Sequence, residues 1–251
     1  MKPRVYVGCA GWSIPGMHRE HFPVAGSHLQ RYAERFSAVE INTSFYRPHR
    51  PDTYARWAAS VPEGFRFAVK VPKQFTHVSR LADVAVFKRF LAEASVLGEK
   101  LGPLLLQLPP SLAFRPETIR VLLEAVRDCF TGSLVCEPRH ASWFMPEVEQ
   151  LLADLQVARV AADPAPMELG SQPGGWGGLV YYRLHGSPRT YYSSYQGERL
   201  DALARVLTDA ARVAPVWCIF DNTAEGAATV NALALQERVQ VDEQDGGRAV
   251  R

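Results

Sequence analysis

The sequence predicts an α/β protein built as a single (β/α)8 barrel, and three observations predict it. Eight short β-branched or apolar runs alternate with stretches of helical period. The chain has 251 residues, close to the ~250 that such barrels commonly use as one domain. Polar side chains recur at the carboxyl ends of the runs, where barrels of this kind carry their chemistry.

The strand-like runs are 5–9, 38–42, 66–70, 104–107, 133–137, 158–163, 179–184 and 216–220. The clearest helical stretches are 83–97, 116–129, 146–155, 199–211 and 224–237, with Pro116 and Pro146 at helix starts, where a missing N–H costs nothing. Alternation of this kind implies parallel strands joined by crossover helices, and eight units close a TIM barrel. An open doubly wound sheet is the competing fold, but no GxGxxG follows the first strand. The link 164–178 is rich in Gly and Pro without helical period, so a loop is expected in place of the sixth helix. Residues 1–240 are expected to form the domain, and the polar segment 241–251 a disordered tail.

Composition narrows the function classes. With 28 basic and 26 acidic side chains the net charge is +2, far from the excess that drives sequence-independent phosphate binding. Nucleic acid is therefore not the expected partner. Cys9, Cys129, Cys136 and Cys218 form no CxxC pair and read as reduced, buried thiols. No secretion signal is visible, and no segment reaches the roughly 18 apolar residues of a membrane helix. The expectation is a soluble cytoplasmic protein.

The strand ends carry Glu40 and Asn42, Lys70, Gln107, Glu137 with Arg139, Asp163, Arg183 with His185, and Asp221 with Asn222. Residues two apart on a strand share a face, so several of these aim together at one end. Trp12, Tyr46, His77 and Trp143 lie in the following loops. A structural ion-pair network would also account for the charges, but such networks are often neutral or costly to stability, which favours function.

Six ordered segments resemble a known family. They are Val39-Glu40-Ile41-Asn42 with Phe45-Tyr46, Phe67-Ala68-Val69-Lys70 with Thr76-His77, Lys100-Leu101-Gly102-Pro103, Gln107-Leu108-Pro109-Pro110, Glu137-Pro138-Arg139-His140 with Ser142-Trp143, and Arg183-Leu184-His185-Gly186. Together they resemble the YecE-like family, also called domain of unknown function 72. The resemblance implies a TIM-barrel fold and supplies no reaction. Pro138 stands where that family usually has an aromatic residue, Asp221 where it has an amide, and the loop Ser13 to His18 is less aromatic than its counterpart.

The first functional expectation is an enzyme, of hydrolase or isomerase/lyase type, acting on a small polar anion such as a sugar phosphate or carboxylate. It needs no metal and no cofactor. Lys70, Arg139 and Arg183 would form a cationic mouth for the anion. Glu40 and Glu137 would be the acid/base pair with His185 as proton shuttle, lined by Trp12, Asn42, Tyr46, His77, Gln107, Trp143, Asp163 and Asn222. The second expectation is a divalent-metal barrel of phosphodiesterase, endonuclease or sugar-isomerase type, with Glu137, Asp163, His185 and Asp221 as ligands; Arg139 and Arg183 oppose it. The third is a non-catalytic module binding nucleic acid or protein.

Overall fold

The computed structural model describes residues 5–248, with side chains through residue 239. Ten strands occur among the described residues: β1 (Val5–Cys9), β2 (Ala38–Ile41), β3 (Arg66–Lys70), β4 (Leu101–Gln107), β5 (Leu134–Glu137), β6 (Val157–Arg159), β7 (Ala161–Asp163), β8 (Gly174–Gly175), β9 (Val180–Leu184) and β10 (Val216–Phe220). The α-helices are α1 (His28–Ala33), α2 (Pro51–Ala59), α3 (Val84–Ala94), α4 (Pro116–Cys129), α5 (Pro146–Asp154), α6 (Gly197–Ala210) and α7 (Ala227–Arg248).

The strands make two sheets, ordered β1-β10-β9-β7 and β2-β3-β4-β5-β6-β8, parallel throughout except for the antiparallel β6–β8 pair. The chain is thus α/β with parallel sheets, as predicted. The sheets meet at two seams. At one, the Tyr32 hydroxyl accepts from the Cys9 N–H at 2.8 Å and donates to the Ala38 carbonyl at 3.0 Å, bridging β1 and β2. Gly8 is required here, because a Cβ would sit 2.2 Å from the Ala38 oxygen. Just beyond, Ala10 bridges Glu40, with the Gly11 N–H on the Glu40 carbonyl at 2.9 Å. At the other seam the run predicted as one strand, 158–163, breaks at Val160: β6 pairs with β5 and β7 with β9.

Alternation along the strands separates two cores. One face, with Val39, Val69, Leu104, Leu106, Val216 and Cys218, packs against the helices. The opposite face carries Ala38, Ala68, Leu105, Val135, Ala158, Tyr181, Trp217 and Ile219, with Tyr6, Trp217 and Tyr181 stacked. Each such large apolar side chain contributes roughly 1.5–3 kcal/mol on burial. On that second face the residue two positions further along is Glu40 after Ala38, Lys70 after Ala68, Gln107 after Leu105, Glu137 after Val135, Arg183 after Tyr181 and Asp221 after Ile219. One continuous face therefore turns from apolar to charged toward the carboxyl ends.

Several expectations needed adjustment. Helices α1 and α2 were not legible; α1 is one and a half turns set by a capping box between Ser27 and Gln30, too short for a period to register. The stretch predicted as helix 83–97 ends at Ala94 and passes through a 3-10 segment in which Gly98 has φ 58°. The link 164–178 carries only a 3-10 turn, Glu168–Ser171, and β8, in line with the missing sixth helix. In the segment expected as a tail, α7 continues through Arg248, and 249–251 lie outside the described residues. No helix among the described residues is long and apolar enough to cross a membrane.

Candidate active site at the carboxyl ends of the strands

Arg183 is the centre of the site. It is wholly buried on β9, and its guanidinium faces three carboxylates. Glu40 takes a forked contact, Nη2 to Oε1 at 2.8 Å and Nε to Oε2 at 3.0 Å; Asp221 Oδ2 lies 2.9 Å from Nη2, and Glu137 Oε2 lies 3.3 Å from Nη1. The Tyr181 hydroxyl donates to Glu40 Oε2 at 3.0 Å. This planar fork is what arginine offers and lysine does not. Arg183 is therefore saturated by the protein's own carboxylates and does not stand in an open cationic mouth.

Glu137 is equally surrounded. His185 Nε2 at 2.8 Å and Arg139 Nη2 at 2.7 Å converge on its Oε1, while the Gln107 amide donates to Oε2 at 3.1 Å. Burial pushes its carboxyl up, but its neighbours His185, Arg183 and Arg139 outweigh that and hold it well below the usual carboxylate range. Asp221 follows the same logic: burial raises it, and Arg183 and His185 bring it below its ordinary value. His185 itself is buried between Glu137 and Asp221, with Nδ1 3.1 Å from Asp221 Oδ2. The Tyr191 ring crosses it edge-on at 6.0 Å.

Lys70 differs from every other cation here. It ends β3 and is 5% exposed; its carbonyl accepts from the Ser44 hydroxyl at 2.6 Å, but its ammonium makes no hydrogen bond or ion pair among the described residues. Its ammonium lies 4.1 Å from the centre of the Phe45 ring. Burial, and then Arg183, bring its pKa down to about 8, against the opposing pull of Glu40, Glu137 and Asp221. His77 packs edge-on against the same Phe45 ring at 5.0 Å, and its Nδ1 is 2.8 Å from the Thr76 hydroxyl. Burial, Lys70 and Lys73 lower its pKa. Asn42 follows β2 at the start of the 3-10 turn Thr43–Phe45, and its buried Oδ1 has no hydrogen-bond partner.

Not every predicted residue joins this group. Asp163 turns to the helix side, 3.2 Å from Arg199, in a small pocket lined by Tyr182, Leu184, Tyr195 and Leu203. The reason is strand parity: with β7 paired to β9, Asp163 stands beside Leu184 of the helix-facing core rather than beside Arg183. Trp143 is fully buried with its indole N–H on the Leu112 carbonyl at 2.8 Å, an anchor for the loop after β4. Trp12 packs on Trp57 at 4.9 Å. Tyr46 is exposed beside Phe45. Asn222 is buried and ties Ser193 to Asn231, with its own Oδ1 unpartnered. The four proposed metal ligands are thus split by the departure of Asp163, and among the described residues no group of three or more His, Cys, Asp or Glu is arranged to hold a metal ion. Cys9 is buried and pushed up to about 12, far from a nucleophilic thiolate.

Tyr181 and Phe45 were not singled out from the sequence as site residues. The alternation that pairs Arg183 with His185 also reaches Tyr181, so that signal was present. For Phe45 the signal was its place in the Phe45-Tyr46 pair that follows the Glu40 strand.

The chain matches the family described as "Protein of unknown function DUF72" over residues 6–249. It belongs to the DUF72 family. It is 31% identical over 153 residues to the UPF0759 protein YecE of Escherichia coli K12, covering 59% of this chain and 53% of that protein. It is 28% identical over 154 residues to the UPF0759 protein YunF of Bacillus subtilis 168, covering 57% and 53%. These alignments span about half the length of the curated relatives. A DUF72 family protein from Enterococcus faecalis V583 superposes with a TM-score of 0.77 at 22% identity, over 94% of this chain and 96% of that one. One from Thermotoga maritima MSB8 gives 0.69 at 24%, over 94% and 99%. At that identity the two structures speak for the fold of the DUF72 chain and for nothing finer.

Proposed function

We propose that this DUF72 chain is an enzyme acting on a small polar anion, of sugar-phosphate or carboxylate type, at the carboxyl ends of a closed eight-stranded barrel. Closure is supported by the two seams, since β1 bridges β2 through Tyr32 and Ala10, and the 157–163 run hands over from β5 to β9. The observation that carries the function is Lys70: a lysine only 5% exposed whose ammonium has no ion pair or hydrogen bond among the described residues costs stability, and the protein retains it at the end where barrels place their chemistry.

In this reading the anionic group of the substrate meets Lys70 and the partly exposed guanidinium of Arg139. Glu40 and Glu137 are positioning residues rather than bases, because their oxygens already accept from Arg183, Tyr181, Gln107, Arg139 and His185. His185, wholly buried with its two ring nitrogens on Glu137 and Asp221, is a positioning residue by the same argument, which leaves His77, on the Phe45 ring it shares with Lys70, as the proton-transfer group. The test is thermal unfolding with inorganic phosphate and with citrate. Both should raise the wild-type melting temperature by mass action, and neither should move Lys70→Met. If neither anion stabilises the wild type, the reading is wrong.

A further inference from the structure

We infer that the Lys70 amine is a covalent attachment point, and that the substrates of this site are small anionic aldehydes or ketones that form an imine there. The inference rests on the reading of the site as one for small anions and narrows their class. Three features of the geometry support it.

The first is the freedom of Nζ. Lys100, a structural lysine, donates to the Ala58 carbonyl at 2.6 Å and the Val61 carbonyl at 2.7 Å. Lys70 has no such acceptor and rests on an aromatic face, which does not fix the direction of its N–H bonds or lone pair. A lysine held this way, nearly buried and seated on an aromatic ring, is poised as a nucleophile, and its pKa of about 8 leaves a usable neutral fraction near neutrality.

The second is the surrounding charge. The neutral amine attacks the carbonyl carbon, the N–C bond forming as the C=O pair moves to oxygen. The nitrogen then loses a proton and the oxygen gains one, giving a carbinolamine; after a further protonation its hydroxyl leaves as water and the C=N bond forms. Overall, an ammonium and a carbonyl become an iminium and water, so one positive charge enters and one remains. Glu40, Glu137 and Asp221 all favour positive charge at Lys70, and therefore favour the iminium over its neutral imine.

The third is the presence of groups for the two proton transfers. His77 shares the Phe45 ring with Lys70, Thr76 holds its Nδ1, and its Nε2 has no hydrogen-bond partner among the described residues. Asn42, directly after the strand that pairs with that of Lys70, has a buried Oδ1 without a partner, an acceptor that a carbinolamine hydroxyl or an iminium N–H would satisfy.

The experiment traps the imine. The full chain is incubated with glyoxylate, pyruvate or dihydroxyacetone phosphate in the presence of borohydride, and the reduced adducts are located by peptide mass mapping. With at least one of the three, Lys70 should be reduced to a secondary amine at least about tenfold faster than Lys73, Lys88 or Lys100, as its larger neutral fraction dictates. The rate should be half-maximal near pH 8, the position set by burial and Arg183 against Glu40, Glu137 and Asp221. Lys70→Arg should leave no adduct at that position and keep the cation. Labelling of Lys70 no faster than Lys73 with all three compounds overturns the inference. If phosphate still stabilises the wild type and not Lys70→Met, the anion-site reading survives that result; if it stabilises neither, both fall.

Discussion

Arg159 and Arg183 are buried to the same degree, 1% and 0% exposed, but on opposite faces of the strands. Arg159, on β6, reaches outward. Its Nε pairs with Glu149, its Nη1 donates to the carbonyls of Leu169 at 3.1 Å and Gln172 at 3.0 Å, and its guanidinium lies 5.0 Å from the Phe144 ring. Glu149 also accepts the Gly175 N–H at 2.6 Å. A Cβ at Gly174 would stand 2.3 Å from Glu149 Oε2 and 2.4 Å from Arg159 Nη2, so the 164–178 link is shaped around this pair. Arg183 reaches into the other face and meets three carboxylates instead of one. The first arginine fastens a loop where a helix is missing; the second neutralises a set of acids that the strand ends bring together. The number of opposite charges around a buried guanidinium, rather than its burial, separates the two roles.

The largest expected effect tests that difference directly. Arg183→Met should destabilise the chain by about 3–5 kcal/mol, because Glu40, Glu137 and Asp221 are left buried without their shared cation. Denaturant unfolding measures it. A loss equal to that of Arg159→Met would break the comparison.

Next in size is a gain. Lys70→Met should stabilise the chain by on the order of 3 kcal/mol at pH 7, since the folded state holds the lysine proton less tightly than the unfolded chain, about 8 against 10.5. The sign follows from proton counting: between those values the unfolded chain binds more protons, so wild-type stability rises with pH through that window. The variant should lack this rise, and its advantage should fade above about pH 10.5. A Lys70→Met protein less stable than wild type at pH 7 would mean that the lysine is part of the structural network after all.

Arg159→Met should cost about 1–3 kcal/mol. Its partner Glu149 keeps 24% of its side chain exposed and can return to water. The damage should be local, seen as faster proteolysis or amide exchange within 164–178, with the Lys70 labelling unaffected.

The smallest effect is read in a slope. Glu137 and Asp221 have folded pKa values below their unfolded ones, so they contribute stability that is fully present above their unfolded values near 4 and is lost as pH falls below that. Glu137→Gln should flatten the decline of melting temperature on acidification. An unchanged slope would show that Glu137 is not held low in the folded state.

The alternation of eight runs, the parallel arrangement, the missing sixth helix and the concentration of polar groups at the strand ends were all legible in the residues, because strand parity and helix period are local properties. Glu40, Lys70, Glu137, Arg183 and His185 were brought together as that parity required. Asp163 was not, because the break at Val160 passes the strand from one neighbour to another and leaves this carboxylate on the helix side, a change no local pattern records. Trp143 reads from the sequence as a loop residue lining the site and is an anchor in the fold, since only the position of the Leu112 carbonyl decides where its indole N–H points. Which cation stays unpaired was equally beyond the sequence. Lys70, Arg139 and Arg183 read alike along the chain, and the assignment of three carboxylates to Arg183, one to Arg139 and none to Lys70 depends on side chains up to 143 residues apart meeting within hydrogen-bond distance. Residue type and spacing therefore determine which groups can reach the site, whereas partner choice among like charges is settled only by three-dimensional packing.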